Sequence, residues 1–183
     1  MNKLKDIRGN KLVIFDLDDT LIKTDAKVKI IDSRTGKIIK ELNSEDFNLF
    51  KIRPRHVLNF DDFNCPEILR QGRIIATIFK KLEDYYNSGI PVAILTARSS
   101  SRVVREFFLE NGIDIHPDLV VAVNDPMYDY KGSVAEMKRE AIIEFIDAGY
   151  TDLIFFDDNE DNLRLAKEVE GYKNSSIEIV RVY

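Results

Sequence analysis

Four short hydrophobic runs in the chain predict buried β-strands. Their residues are continuously apolar and rich in β-branched side chains: K-L-V-I-F-D (11–16), P-V-A-I-L-T (91–96), D-L-V-V-A-V (118–123) and D-L-I-F-F-D (152–157). Continuous runs of this length are typical of strands covered on both faces, as in parallel sheets. A further run near the end of the sequence, S-I-E-I-V-R-V, predicts a last strand.

Helical patterns separate these runs. They cover about 72–87, 101–110, 133–148 and 160–169. The third pattern begins with Ser133 and Glu136, which have the spacing of a capping box. Strands that alternate with helices predict an α/β fold, a doubly wound, Rossmann-like sheet with mainly parallel strands.

The segment 22–70 breaks this alternation. Its first part, A-K-V-K-I-I-D, S-R-T-G and K-I-I-K-E-L, predicts a β-hairpin with a glycine-containing turn. The remainder, 43–70, has no clear period and is expected to be irregular. We therefore expect a single domain over 1–183 with a small cap-like insert at 22–70 after the first strand.

The composition is that of an ordinary globular protein, with 44% hydrophobic and 32% charged residues. A net charge of −5 argues against a broad nucleic-acid surface, although it allows a local basic groove. The single cysteine, Cys65, excludes an internal disulfide and a multi-cysteine zinc site. Because no run approaches the roughly 20 apolar residues of a membrane span, we expect a cytoplasmic protein without a membrane partner.

Polar clusters follow three of the predicted strands. They are D-L-D-D-T (16–20), T-A-R (96–98) and D-D-N-E-D (157–161). In open α/β sheets the functional crevice lies at the carboxyl ends of the strands, so these clusters are expected to meet there. Carboxylates without histidine or cysteine partners favour Mg²⁺, and a metal of this kind supports attack of an aspartate on phosphorus.

Lys138 lies on the apolar face of the helix predicted at 133–148. That face also carries Val134, Met137, Ala141 and Phe145. A lysine in this position either extends its ammonium group to the surface or pairs with carboxylates. The acids expected at the sheet edge favour pairing.

In their order, these motifs resemble those of the haloacid dehalogenase (HAD) superfamily across about 11–162. D-L-D-D-T is similar to its first motif, T-A-R to its second, Lys138 to its third and D-D-N-E-D to its fourth. The second acid of D-L-D-D-T is typical of the phosphatases and phosphotransferases of the superfamily. The resemblance therefore implies a Mg²⁺-dependent phosphatase that hydrolyses phosphomonoesters through an aspartyl phosphate.

The resemblance also implies a role for each matching residue. Asp16 is the nucleophile, and Asp18 protonates the leaving oxygen and then deprotonates the attacking water. Thr96 and Lys138 bind the phosphoryl group. The residues implied for Mg²⁺ are Asp16, the main-chain carbonyl of Asp18, Asp157 and Asp158. Asp161 is an additional candidate, and Glu160 is expected to be a solvated residue at the helix start.

Two residue assignments stay open. Lys131, just before the helix, is an alternative third-motif lysine. Arg98 either binds the substrate phosphate or its leaving group, or is an exposed arginine at a helix start.

The substrate is open as well. The expected partner is a phosphorylated small molecule or nucleotide. The alternative is a polynucleotide 3′-phosphatase, since the motif order is also similar to that of the phosphatase domain of phage polynucleotide kinases. A third hypothesis is a non-catalytic binding protein that retains the HAD fold.

Overall fold

The computed structural model describes residues 9–183. Its strands, in chain order, are β1 (Lys11–Phe15), β2 (Ile22–Lys23), β3 (Val28–Asp32), β4 (Ile38–Leu42), β5 (His56–Asn59), β6 (Arg73–Ile74), β7 (Val92–Thr96), β8 (Val120–Ala122), β9 (Asp152–Asp157) and β10 (Ser176–Arg181). Its α-helices are α1 (Ser44–Asn48), α2 (Pro66–Gln71), α3 (Ala76–Asn87), α4 (Ser101–Glu110), α5 (Val134–Asp147) and α6 (Glu160–Lys167). Short 3₁₀ turns lie at Asp61–Asn64, Pro117–Leu119 and Tyr172–Asn174.

The main sheet has five parallel strands in the order β10-β9-β1-β7-β8. Its central strands are covered on both faces, and all five residues of β7 are buried. Helices connect successive strands and flank the sheet. The predicted α/β class and mainly parallel sheet are therefore confirmed.

The chain divides into two compact units. The sheet unit comprises the chain up to Lys23 together with Arg73–Tyr183, and the inserted unit is Thr24–Gly72. The sequence placed the insert at 22–70, whereas β2 and β6, at its two ends, pair with each other within the sheet unit.

The inserted unit contains a three-stranded antiparallel sheet in the order β4-β3-β5. The predicted hairpin is β3 and β4, and its turn contains Gly36 at a φ of 66°, a left-handed value that suits glycine. The inserted unit has a small core of Val28, Ile30 and Leu42, against which Phe47, Phe50, Leu58 and Phe63 pack.

The expectation that 43–70 is irregular is wrong. This segment contains α1, β5 and α2. The strand β5 has only four residues, H-V-L-N, and its pattern is too short to distinguish from a loop. It is a strand because its backbone pairs with β3, which is a tertiary effect that local sequence does not encode.

None of the α-helices in residues 9–183 combines the length and the apolar character that a membrane span requires.

Candidate active site

The three polar clusters of the sequence meet at one edge of the main sheet. The strands β9, β1 and β7 are neighbours, and Phe15 pairs with Phe156 on one side and with Ile94 on the other. Asp16 follows β1 directly, Thr96 ends β7 and Asp157 ends β9. The parallel register therefore places these residues at the same carboxyl edge.

The loop after β1 is tightly folded. The main-chain N–H of Asp16 donates to the carbonyl of Phe156 at 2.9 Å, which extends the strand pairing by one residue. The carbonyl of Leu17 accepts hydrogen bonds from two main-chain N–H groups further along the loop, one of them that of Ile22 at 3.1 Å. The reversal passes through Asp19, which has a φ of 61°, a conformation that aspartate tolerates better than most residues. Main-chain hydrogen bonds therefore fix the conformation of the D-L-D-D-T motif.

Lys138 connects the ends of β1 and β9. It is only 1% exposed, and its Nζ donates to Oδ1 of Asp16 at 2.6 Å and to Oδ2 of Asp157 at 2.8 Å. Burial alone lowers the pKa of Lys138, but Asp157 and Asp16 outweigh burial and raise the pKa, so the ammonium group is charged. The lysine alternative at Lys131 lies elsewhere, with a side chain 78% exposed and paired with Asp129.

Asp157 is fully buried and saturated with hydrogen bonds. Its two oxygens accept four of them, from the N–H of Asn159 at 2.8 Å, from Lys138 at 2.8 Å and from Nδ2 of Asn162 at 3.0 Å to each oxygen. Sequence reasoning missed both asparagines. Asn159 is the N-cap of α6, and the capping pattern in D-N-E-D-N was the available signal.

Asp158 is less heavily hydrogen-bonded than its neighbour Asp157. Its Oδ1 accepts a hydrogen bond from Oγ1 of Thr20 at 3.3 Å. Burial, followed by the charge of Asp157, raises the pKa of Asp158 to about 6, although Lys138 opposes the shift. A carboxylate in this environment gains stability from a nearby cation.

Asp16, Asp157 and Asp158 form a candidate metal site. Each offers one carboxylate oxygen, and the three oxygens lie within 4.8 Å of one another. Burial raises the pKa of Asp16 well above its usual range, and the charges of Asp157 and Asp158 add to this effect, whereas Lys138 opposes it. Such a buried, oxygen-only donor set fits a hard divalent cation such as Mg²⁺.

Arg98 and Asp18 form a partly buried ion pair beside this cluster. Nε of Arg98 donates to Oδ2 of Asp18 at 2.9 Å, and Nη2 donates to Oδ1 at 2.7 Å. The side chain of Arg98 is 1% exposed, so the alternative of an exposed arginine is wrong. Thr96 is also buried, and its Oγ1 accepts the main-chain N–H of Arg98 at 3.3 Å.

Glu160 and Asp161 lie outside the cluster. Both are exposed in the first turn of α6, where Glu160 pairs with Arg181 and Asp161 pairs with Arg164. Neither belongs to the group of acids that could share a cation. The acids of D-D-N-E-D therefore divide into an inward pair and a solvated pair.

No protein-family model matches the chain, and no curated protein matches it either.

Proposed function

We propose that this protein is a Mg²⁺-dependent phosphatase that hydrolyses phosphomonoesters through an aspartyl phosphate on Asp16. The observation that supports this proposal best is the buried ammonium group of Lys138 between Asp16 and Asp157, next to the further acid Asp158. A cation fixed against two carboxylates, beside a site for a second cation, suits a reaction that brings a phosphate dianion to a carboxylate.

Asp16 has the geometry of a nucleophile. Lys138 holds Oδ1, whereas Oδ2 accepts no hydrogen bond from the residues of 9–183. In the proposed first step, Oδ2 attacks phosphorus while the bond from phosphorus to the leaving oxygen breaks, and Asp18 gives that oxygen a proton. In the second step, a water molecule attacks the phosphorus of the aspartyl phosphate and gives a proton to Asp18. The bond from phosphorus to Oδ2 of Asp16 breaks, its electrons return to the Asp16 carboxylate, and inorganic phosphate leaves.

The donor set assigns different roles to the two inward acids. Both oxygens of Asp157 accept hydrogen bonds, from Lys138, Asn159 and Asn162, so we propose that Asp157 holds the lysine in addition to contributing to the metal site. Asp16, Asp157 and Asp158 are the proposed carboxylate ligands, together with the carbonyl of Asp18 that the family resemblance implies. Bound Mg²⁺ would offset the negative charge of the phosphoryl group and of these carboxylates.

Thr96 and Lys138 are the proposed phosphoryl-binding residues. Thr96 ends β7 beside β1, and its hydroxyl lies in the same turn that carries Arg98. Lys138 is held in place by two carboxylates, so its charge is in position before the substrate arrives. Preorganised charge of this kind is the main source of stabilisation in phosphoryl transfer.

The test is hydrolysis of p-nitrophenyl phosphate with and without Mg²⁺. We expect turnover with Mg²⁺, loss of turnover in EDTA and loss in Asp16→Asn. Asp161→Asn is the matched control, because it removes an acid of the same motif that pairs with Arg164 at the surface. A wild-type protein that is inert with several divalent ions would favour the non-catalytic hypothesis instead.

A second candidate function, hydrolysis of 3′-phosphates on polynucleotides, is favoured by a basic surface of the inserted unit. This basic surface consists of Arg34, Lys37, Arg53 and Arg55, which are all exposed. The N–H of Ser33 donates to the carbonyl of Arg55 at 2.9 Å, which brings the hairpin turn next to the segment before β5. None of these four side chains forms a salt bridge within residues 9–183, although the charge of Arg55 acts on Asp32, whereas many surface cations of the sheet unit do form one.

Exposed cations that form no salt bridge suit a phosphodiester backbone. A 3′-phosphorylated oligonucleotide compared with a panel of mononucleotides and sugar phosphates distinguishes the two functions. For the polynucleotide function, kcat/KM should favour the oligonucleotide and fall steeply with salt. Equal kcat/KM values, insensitive to salt, would leave the small-molecule phosphatase.

A further inference from the structure

The ion pair of Arg98 with Asp18 is bidentate. Two guanidinium nitrogens meet the two carboxylate oxygens, and this fork fixes both the plane and the direction of the carboxylate. The backbone of Arg98 is also fixed, because its N–H donates to Oγ1 of Thr96 and its carbonyl accepts the N–H of Asn124 at 3.2 Å. Asn124 supports the same turn with a second hydrogen bond, from Nδ2 to the carbonyl of Ala97 at 2.6 Å.

The two members of the pair differ in access. The side chain of Arg98 is 1% exposed, whereas that of Asp18 is 19% exposed. A substrate that enters from solvent therefore meets Asp18, and Arg98 lies behind it. The edge of the guanidinium formed by Nε and Nη2 is already used by Asp18, and withdrawing it to meet a phosphate would leave the Asp18 carboxylate without its partner, which is unfavourable.

We infer that Arg98 is a positioning residue that acts through Asp18 rather than a residue that binds the substrate. This inference rests on the proposed function, in which Asp18 exchanges protons with the leaving group and with water. Arg98 holds the Asp18 carboxylate in one orientation, and Asn124 and Thr96 hold Arg98. Lysine cannot replace it, because an ammonium group has no planar fork for both oxygens.

A double-mutant cycle separates the two roles of Arg98. We expect Arg98→Lys to lower kcat by at least about tenfold with little change in KM, which is the pattern of an interaction that acts in the transition state. In the Asp18→Asn background, the same change should alter kcat by less than about twofold, because the Asp18 carboxylate that Arg98 orients is then absent. Equal losses in both backgrounds, or a rise in KM, would mean that Arg98 binds the phosphate and would overturn the inference.

A second measurement identifies the affected step. p-Nitrophenolate leaves without a proton, so the first step still occurs when Asp18 is misplaced. The attack of water is slowed, because it requires Asp18 to accept a proton. With p-nitrophenyl phosphate, Arg98→Lys should therefore accumulate phosphoenzyme above the wild-type level, which is measured by rapid acid quench. A merely structural defect would lower activity without that accumulation, and this result would also overturn the inference.

Arg102→Lys is the matched control, since Arg102 is an exposed arginine of α4 that pairs with Glu106. It should match the wild type in kcat and in phosphoenzyme level, and a loss equal to that of Arg98→Lys would contradict the positioning role. A wild type that hydrolyses nothing and forms no phosphoenzyme removes the proposed function, and the positioning role with it. A wild type that turns over while the cycle is additive removes the positioning role alone.

Discussion

Replacing Lys138 by methionine removes the ammonium group that separates Asp16 from Asp157. The methionine preserves most of the apolar stem, so packing on the face of α5 changes little. Two buried carboxylates then face each other without the cation that contacts both of them. This substitution therefore tests the central ion pairs with little disturbance of the surrounding core.

The expected loss of stability is large. Removing one partner of a buried ion pair costs about 3–5 kcal/mol, because the remaining charge stays desolvated. For a chain of this size, about 1 kcal/mol corresponds to about 2–4 °C in Tm, so Lys138→Met should lower the Tm by about 6–20 °C. Phosphatase activity should be lost as well, since the phosphoryl group no longer meets a fixed cation.

Lys131→Met is the matched control. Its ammonium group is exposed and pairs with Asp129 at the surface, where solvent screens the ion pair, so its loss should change the stability little. Thermal unfolding followed by circular dichroism should therefore separate the two variants clearly. If Lys138→Met melts within about 2 °C of Lys131→Met, the buried bridge does not exist in solution.

The pH dependence of the Lys138 variant gives an independent check. Burial already raises the pKa of Asp16. The charges of Asp157 and Asp158 raise it further, and Lys138 is the group that opposes the rise. Without the lysine, the protonated form of Asp16 is favoured further. A group with a raised pKa in the folded state stabilises the fold when it is protonated, so the deficit of Lys138→Met should shrink as the pH falls.

Two further predictions concern the acids of β9 and their neighbours. The proton and the metal compete for Asp158, whose pKa of about 6 is raised by burial and then by Asp157. Without metal, the contribution of Asp158 to stability is present at low pH and is lost as the pH rises through about 6. The rise in Tm that Mg²⁺ produces should grow over the same interval. A rise in Tm that is constant from pH 5 to 8 would refute the role of Asp158 as a ligand. Asn162→Ala removes two hydrogen bonds to the buried Asp157 carboxylate and should lower the free energy of unfolding, measured in urea, by about 1–3 kcal/mol. A decrease below about 0.5 kcal/mol would show that these bonds do not support the site.

Much of the sheet unit could be predicted from the sequence because its strands are buried on both faces. The run D-L-I-F-F-D gave β9 with the bounds that the structure has, Asp152–Asp157. The strand β8 is shorter than the predicted 118–123, because Pro117–Leu119 forms a 3₁₀ turn before it. The placement of Lys138 also followed from its pattern, since a lysine amid apolar residues has few partners available.

What the sequence did not predict depends on contacts between distant residues. The pairing of β5 with β3 makes a strand from four residues that have no distinctive pattern. The ion pair of Arg98 with Asp18 joins residues 80 positions apart, and the local sequence around each residue does not predict it. The different environments of Asp157 and Asp158 likewise come from Asn162 and Lys138, which both donate hydrogen bonds to the carboxylate of Asp157.

The most direct test of the central claim is to trap the phosphoenzyme. Wild-type protein is mixed with Mg²⁺ and p-nitrophenyl phosphate, quenched in acid within milliseconds, digested and analysed by mass spectrometry. We predict that the peptide containing Asp16 gains the mass of one phosphoryl group, and that Asp16→Asn does not. Turnover by the wild type with no phosphorylated peptide, or with the phosphoryl group on another residue, would contradict Asp16 as the nucleophile.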